Sequence, residues 1–296
     1  MKNILIIGAN GFTGRRILND LSVNPIYHVT GCSLRDDICP GKDYRFVRTD
    51  IRDENEVRKL FKECRPDIVI NTSALSVPDY CETHHAEAEA TNVTAVETIA
   101  HVCEQYGSRF IHLSTDFVFD GKSTRLYKEE DEAIPVNYYG VTKLKAEKII
   151  ASICSNYAIV RVVVVYGKAL PGQHGNILQL VANRLRNGET IRVVSDQWRT
   201  PTFVGDISVG VEKLMFHTAN GIYHICGSEC LTIAEIAYRV ADFLKLDRSL
   251  IEPVTTEEIK ETTPRPRFSG LSIEKAKAEI GYTPRTLEEG MEASLF

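Results

Sequence analysis

Apolar positions in the first half of the chain follow two alternating patterns. Short β-rich runs lie at Asn3–Ile7, Tyr27–Gly31, Asp67–Asn71, Arg109–Leu113 and Ala158–Val165. Between them the spacing becomes helical over Gly14–Leu21, Asn55–Glu63, Ala86–Tyr106 and Tyr138–Ile153. In the third of these, Val93, Val96, Ile99, Ala100 and Cys103 recur every three or four residues. Strands that are continuous apolar runs, alternating with amphipathic helices, predict a parallel sheet covered on both faces.

The second half reads as a mixture. The spacing predicts helices at Asn176–Arg186, Gly205–Phe216, Thr232–Phe243 and Ser272–Ile280, and strands at Ile191–Val194 and Gly221–Cys226. Thr232 with Glu235 three residues on is a capping box, and Gly281 closes the last helix. Residues 247–270, rich in Pro, Glu and Thr, read as irregular or as short elements. With no repeat and no floppy linker, the expected fold class is α/β. It consists of a Rossmann-type doubly wound parallel sheet with a smaller, mixed α/β C-terminal substrate domain. The nucleotide-binding domain is expected over 1–166 with 203–226 returning to it, and the substrate domain over 167–202 and 227–296.

Composition narrows the partners. The 296 residues carry 35 Lys+Arg against 40 Asp+Glu, a net charge of -5. With no long basic run, this speaks against nucleic acid or an anionic membrane as partner. No apolar stretch approaches the ~18 residues that span a bilayer, and Ile4–Ile7 is too short for a signal-peptide core. The eight Cys are scattered and form no C-x-x-C pair. They read as reduced, buried thiols of a cytoplasmic protein, with no metal site expected.

Two stretches carry chemistry. The first strand runs into Gly8-Ala9-Asn10-Gly11-Phe12-Thr13-Gly14 and then a helix. Glycines here permit a tight turn, close approach of a pyrophosphate and helix–strand packing, while the helix N-terminus offers free N–H groups to phosphate. Tyr139-Gly140-Val141-Thr142-Lys143 places a phenol and an ammonium one helical turn apart. A phenol titrates near ~10 and is a poor acid at neutrality. The Lys143 ammonium is expected to lower that value so that Tyr139 can protonate a carbonyl oxygen. A hydroxyl at the end of the fifth strand, within Ser114-Thr115-Asp116, could orient that carbonyl.

The G-x-x-G-x-x-G spacing resembles that of the short-chain dehydrogenase/reductase superfamily. The resemblance implies a nicotinamide cofactor lined by Gly8, Asn10, Gly11, Phe12 and Gly14. At the end of the second strand, Gly31-Cys32-Ser33-Leu34-Arg35 has no carboxylate before Asp36. Ser33 and Arg35 could hold a 2′-phosphate, so NADPH is expected, with NADH as the alternative; Arg35 as a solvated loop charge is the competing reading. Thr49-Asp50-Ile51 after the third strand resembles an adenine-contacting pair, Asp50 and Ile51. Asn71-Thr72-Ser73-Ala74 resembles the stretch that lies along the cofactor through Asn71, Ser73 and Ala74. Tyr139 and Lys143 would also touch it.

Ser114-Thr115-Asp116-Phe117-Val118-Phe119-Asp120-Gly121 narrows the resemblance to the dTDP-4-dehydrorhamnose reductase branch of the extended members. Further matches are Val77–Glu82, Asn92, Arg161 with Val165-Tyr166-Gly167, Gly175-Asn176, and Asp196-Gln197 with Pro201-Thr202. The branch reduces a 4-keto nucleotide-diphospho-6-deoxysugar. The resemblance implies Tyr139, Lys143 and Thr115 as catalytic residues and Asn92 as a cofactor residue. Asp116, Phe117, Val164, Asn176, Trp198, Arg199 and Arg265 would face the substrate. Three positions depart from the branch: Val164 stands for Trp, Arg199 for Gly and Phe117 for Tyr.

Arg199, Arg265 and Arg267 could clamp a diphosphate, or could be surface arginines. Trp198 could stack on a ligand or cover the second domain's core, and Asp116 could bind sugar hydroxyls or simply form a turn. The long helices Ala86–Tyr106 and Tyr138–Ile153 resemble a dimerising pair, so a homodimer is expected. Two other activities compete: a sugar-nucleotide epimerase, and a non-catalytic regulatory subunit resembling the methionine adenosyltransferase β subunit. A dehydratase would need a second acidic residue after Thr115-Asp116, where Phe117 stands.

Overall fold

The computed structural model describes residues 1–41, 43–173 and 175–294. Position 174 and the last two positions of the expected second domain lie outside them. The first half contains β1 (Lys2–Ile7), α1 (Phe12–Ser22), β2 (Tyr27–Ser33), β3 (Arg45–Arg48), α2 (Glu54–Cys64), β4 (Ile68–Asn71), α3 (Pro78–Thr83), α4 (His85–Glu89), α5 (Ala95–Tyr106), β5 (Arg109–Thr115), α6 (Tyr138–Ile153) and β6 (Tyr157–Val162). There follow β7 (Val165–Tyr166), α7 (Ile177–Arg186), β8 (Ile191–Val194), β9 (Trp198–Arg199), β10 (Thr202–Phe203), α8 (Val204–Phe216) and β11 (Gly221–His224). The chain ends with β12 (Leu231–Thr232), α9 (Ile233–Leu244), β13 (Ile251–Val254), α10 (Thr256–Ile259), α11 (Glu274–Ile280) and α12 (Leu287–Ser294).

Seven strands form one sheet in the order β11-β6-β5-β4-β1-β2-β3, every pair parallel. Alternation along β1 assigns its side chains to two cores. Ile4 and Ile6 pack with Ile17, Leu18 and Leu21 of α1 and Ile207, Val211 and Leu214 of α8. Leu5 and Ile7 pack with Val57, Leu60 and Phe61 of α2, Ile99 of α5 and Ile150 of α6. Strand order reverses between β1 and β4, and the crevice above the C-terminal ends of those strands is where such sheets bind ligands. A third core joins α7, α9, β8, β13 and α12, with Tyr166 and Phe203 at its sheet-facing side. Thr232 and Glu235 form both halves of the capping box on α9.

Two long elements read from the sequence are broken. The run Ala158–Val165 ends as a strand at Val162, and Val164 adopts φ 38°, a left-handed value that a β-branched residue rarely takes. The chain then turns out of the sheet, and β7 pairs instead with β10. The helix expected over Ala86–Tyr106 contains a π turn at Ala90–Thr94 between α4 and α5. Its extra residue carries Asn92 inward, the kind of local irregularity that marks functional regions. α3 and α12 have no sequence counterpart among the predicted elements, and β13 and α10 lie in the stretch read as irregular or short elements.

Candidate functional site

The glycine turn joins β1 to α1 at the strand-order reversal. Gly8 has φ 85°, and a Cβ there would lie 2.7 Å from both Ser73 N and Thr72 Oγ1, so only glycine lets the β1 and β4 ends close together. Gly11 caps α1 without a side-chain bond, and no acidic residue occupies the first turn. The first N–H groups of an eleven-residue helix are therefore unpaired by any side chain, as an anionic ligand requires. Ser73 and Ala74, half-buried, line the adjoining end of β4.

Asn10, Asp50 and Asn71 are committed to partners within the protein. Asn10 donates to the Arg35 and Asp36 carbonyls and accepts from Arg15. The Asp50 carboxylate accepts from the Arg52 guanidinium, which holds its pKa below the usual carboxylate range. Ile51 is half-buried beside it, against the core of the α2 face. Arg15, which sequence reasoning missed, is buried under the β2 end and donates to Asp37 and, at 2.8 Å, to Tyr44. Arg35 is exposed and has no ion pair among the described residues, and Ser33 is half-buried.

The chemical end is built where α6 meets the loop after β5. A Cβ on Gly140 would stand 2.1 Å from the Phe117 carbonyl, so glycine is what lets the first turn of α6 approach that loop. Asn137 caps α6 by accepting from Gly140 N at 2.9 Å. The approach sets the Phe117 ring edge-on to Tyr139 at 5.9 Å and brings the Tyr139 phenol near Thr115, whose hydroxyl donates to Asp116 Oδ1 at 3.1 Å. Lys143 follows one turn later, buried.

The electrostatics differ from the sequence expectation. Burial first, and then the Asp116 carboxylate, push the Tyr139 phenol well above its usual value, while Thr115 opposes them. Burial also brings Lys143 down to about 8. The lysine is not held against the phenol. Its Nζ lies 2.9 Å from His112 Nε2 and donates to the Leu113 carbonyl at 2.7 Å. In this arrangement Lys143 therefore does not lower the phenol's pKa. As it stands, the arrangement keeps Tyr139 protonated and ready to donate. A bound nicotinamide would supply hydride chemistry beside a proton held at Tyr139 Oη.

Several expected ligand contacts are internal. Asn92 is fully buried; it accepts from Leu75 N at 2.8 Å and donates to Leu75 O and Thr142 Oγ1, both at 3.0 Å. It fixes the loop after β4 instead of offering a free amide to a cofactor. Asn176 commits its side chain to capping α7, accepting from Gln179 N at 3.2 Å. Arg199 is buried, with Nε 3.8 Å from Asp116 Oδ2 and Nη1 donating to the Trp198 carbonyl at 2.8 Å. Asp116 also accepts from Ser269 and Thr115, and burial raises its pKa.

The clamp of three arginines is thus not formed. Arg199 neutralises Asp116, Arg265 pairs with Asp79 and Glu261, and Arg267 pairs with Glu257. Trp198 is 38% exposed on β9, so it does not cover the core of the second layer. Val164 and Phe117 are half-buried. Also absent from the sequence-based site is a buried row beneath it: Glu147, one turn after Lys143, pairs with Arg161 at 2.7 Å and accepts from Ser114. Its signal was the charged Arg161 inside an apolar strand run. Among the described residues no group of His, Cys, Asp or Glu is placed to hold a metal ion.

A glycine-turned parallel sheet, with a phenol, a threonine hydroxyl and a lysine gathered beyond its switch point, defines an extended short-chain dehydrogenase/reductase. Within that class the chain belongs to the family described as RmlD substrate binding domain, which it matches over residues 1–295, in the dTDP-4-dehydrorhamnose reductase branch. It is 31% identical over 293 residues to the spore coat polysaccharide biosynthesis protein SpsK of Bacillus subtilis, covering 98% of this chain and 96% of that one. It is also 31% identical over 290 residues to the methionine adenosyltransferase 2 subunit beta of Xenopus laevis, covering 96% and 84%. A crystal structure of dTDP-4-dehydrorhamnose reductase from Bacillus anthracis in complex with NADP superposes with a TM-score of 0.87 at 27% identity, covering 99% of each chain.

Proposed function

We propose that the protein is a nicotinamide-dinucleotide-dependent reductase of a 4-keto nucleotide-diphosphosugar. The observation that carries this reading is the close approach of α6 to the loop after β5, which sets the Tyr139 phenol, held protonated, beside Thr115. A protonated phenol beside a threonine hydroxyl suits a carbonyl oxygen that must be oriented and then protonated as hydride arrives. Tyr139 donates the proton and Thr115 orients. Lys143 holds the nicotinamide ribose. The uncapped start of α1 binds the pyrophosphate, and Ser73, Ala74 and Ile51 line the dinucleotide.

NADPH is the preferred form in this reading. The nearer engaged carboxylate, Asp37, is tied up by Arg15, Tyr44 and the Cys39 N–H, while Arg35 is exposed with its guanidinium uncommitted among the described residues. Arg35→Ala should weaken NADPH roughly tenfold, about one charge-assisted hydrogen bond, and leave NADH unchanged in a fluorescence titration. Substrate specificity would rest on Val164, Phe117 and the exposed Trp198, with Arg199 acting by holding Asp116 and not by touching substrate. The third core with its helices is the substrate-binding layer, and the protein acts as a homodimer in the cytoplasm.

The test is to mix purified protein, NADPH and a panel of 4-keto nucleotide sugars and follow the nicotinamide absorbance. Loss of absorbance with one of them is the expected result. Binding of NADPH with no oxidation by any of them would overturn the reductase reading and favour a nucleotide-binding subunit, the role suggested by the likeness to the methionine adenosyltransferase β subunits. A changed sugar with no net NADPH consumption would favour an epimerase.

A further inference from the structure

The polar chain behind Lys143 has a direction, and the direction can be worked out from donors and acceptors alone. Ser73 N is a backbone donor and lies 3.0 Å from Asn71 Oδ1, with Ser73 Oγ at 2.6 Å from the same oxygen. A backbone N–H can only donate, so this contact fixes the orientation of the Asn71 amide. The Asn71 NH₂ must then face His112, and Nδ2 stands 3.1 Å from His112 Nδ1. Nδ1 therefore accepts. A neutral imidazole with Nδ1 accepting carries its proton on Nε2. Nε2–H points at Lys143 Nζ, 2.9 Å away, and Nζ in turn donates to the Leu113 carbonyl. For Nζ to accept from Nε2–H it needs a lone pair, so the lysine in this arrangement is the free amine.

We propose that His112 is a positioning residue for Lys143, and that the chain Ser73–Asn71–His112–Lys143 ties the charge of the lysine to the state of the dinucleotide cradle. All three inner members are buried, with Asn71 and His112 fully so. Burial holds the His112 pKa well below the ordinary histidine value, which keeps the ring neutral, and a charged Lys143 would lower it further. The other titratable groups around Lys143 are accounted for. Tyr139 and Glu147 share its helix. Asp116 and Cys81 face Tyr139, and Asp116 is matched by Arg199. Glu147, which favours the charged lysine, is itself paired with Arg161.

Charging the lysine reverses the chain. One proton is added overall: Nε2 passes its proton to Nζ, and Nδ1 takes up a proton from solvent. The Asn71 amide must then turn its oxygen to Nδ1–H, which presents its NH₂ to the Ser73 N–H. Two donors cannot face each other, so the Ser73 N–H needs a new acceptor. Ser73 lies against the glycine turn, where a bound dinucleotide would present oxygens. Cofactor binding and the ammonium form of Lys143 thus favour one another. Only this second half rests on the dinucleotide reading above.

The experiment is ¹⁵N NMR of histidine-labelled protein, in which the two ring tautomers are distinguished directly. The His112 signal is identified by its loss in His112→Gln. If that variant does not fold, the other histidines are replaced one at a time and His112 is found by elimination. In the free protein above pH about 8 the proposal requires the neutral Nε2–H form; an Nδ1–H or doubly protonated ring overturns it. On saturation with NADPH the ring should change to Nδ1–H, and an unchanged Nε2–H ring overturns the coupling. If NADPH does not bind at all, the dinucleotide reading falls, while the free-protein tautomer still decides the direction of the chain.

Discussion

Tyr139→Phe deletes one hydroxyl and leaves the ring packed edge-on to Phe117. Turnover should fall by about 10²–10⁴-fold, the usual worth of a positioned general acid. Dinucleotide affinity in a fluorescence titration should stay the same. Lys143 makes a different prediction, about stability. Its pKa is lowered from 10.5 to about 8. The unfolded chain therefore binds more protons than the native one between those values, and stability attributable to this residue rises with pH across that window. The penalty is full below about pH 8 and vanishes above 10.5. Replacing it by methionine should stabilise the ligand-free protein more at neutral pH than at pH 10.5, by about 3 kcal/mol in denaturant titrations. A gap that does not close with rising pH would show that burial of the charge is not what Lys143 costs the fold. Single residues were also where sequence reading was least complete. Tyr139 and Lys143 could be read as a pair because they lie one helical turn apart, whereas Thr115 was singled out only by the resemblance. The burial of Arg199 against Asp116 was not, because residues 83 positions apart meet only once β9 is placed.

Among the elements, the π turn at Ala90–Thr94 has the clearest mechanical role. Its extra residue turns Asn92 toward Leu75 and Thr142, so one amide joins the loop after β4 to helix α6. Asn92→Ala leaves the Leu75 backbone and the Thr142 hydroxyl short of partners. It should cost roughly 2 kcal/mol of stability and weaken dinucleotide binding through the displaced loop. Chemical denaturation and a binding titration check the two effects separately. A regular helix period could not reveal this feature, because Ala86–Tyr106 satisfies three-and-four spacing on both sides of the irregularity. The same limit applies to Val164: the run Ala158–Val165 is uniformly β-forming, and nothing in it signals the φ of 38° that ends the strand and turns the chain. Elements with an explicit start signal, such as Thr232 with Glu235 on α9, were legible almost to the residue.

For the whole molecule, the sheet and the third core are not consecutive stretches of chain. After β6 the chain leaves the sheet and builds β7 to β10. It returns along α8 to add β11 beside β6, then leaves again for α9 to α12. Arg109 at the start of β5 reaches across to α8 and the turn after it, donating to the Leu214 carbonyl at 2.7 Å and the Ala219 carbonyl at 3.2 Å. Heat unfolding followed by calorimetry should therefore show one transition, with the calorimetric and van't Hoff enthalpies equal. Two resolved transitions would mean the layers unfold independently. The outer faces of the helices expected to dimerise carry Glu97, His101 and Glu104 on α5 and Lys145 and Lys148 on α6. A dimer through them would be held largely by charge and should dissociate as salt rises, in light scattering at low and high ionic strength.

The return of β11 also bears on how the protein is made. During synthesis β6 emerges long before its outer neighbour, because residues 163–220 must be translated first. For that interval the nascent sheet presents an unpaired edge of backbone donors and acceptors, open to pairing with another chain. The rate at which ribosomes pass through this insertion, and whether a chaperone covers the edge meanwhile, will then set the yield of folded protein more than the stability of the finished fold does.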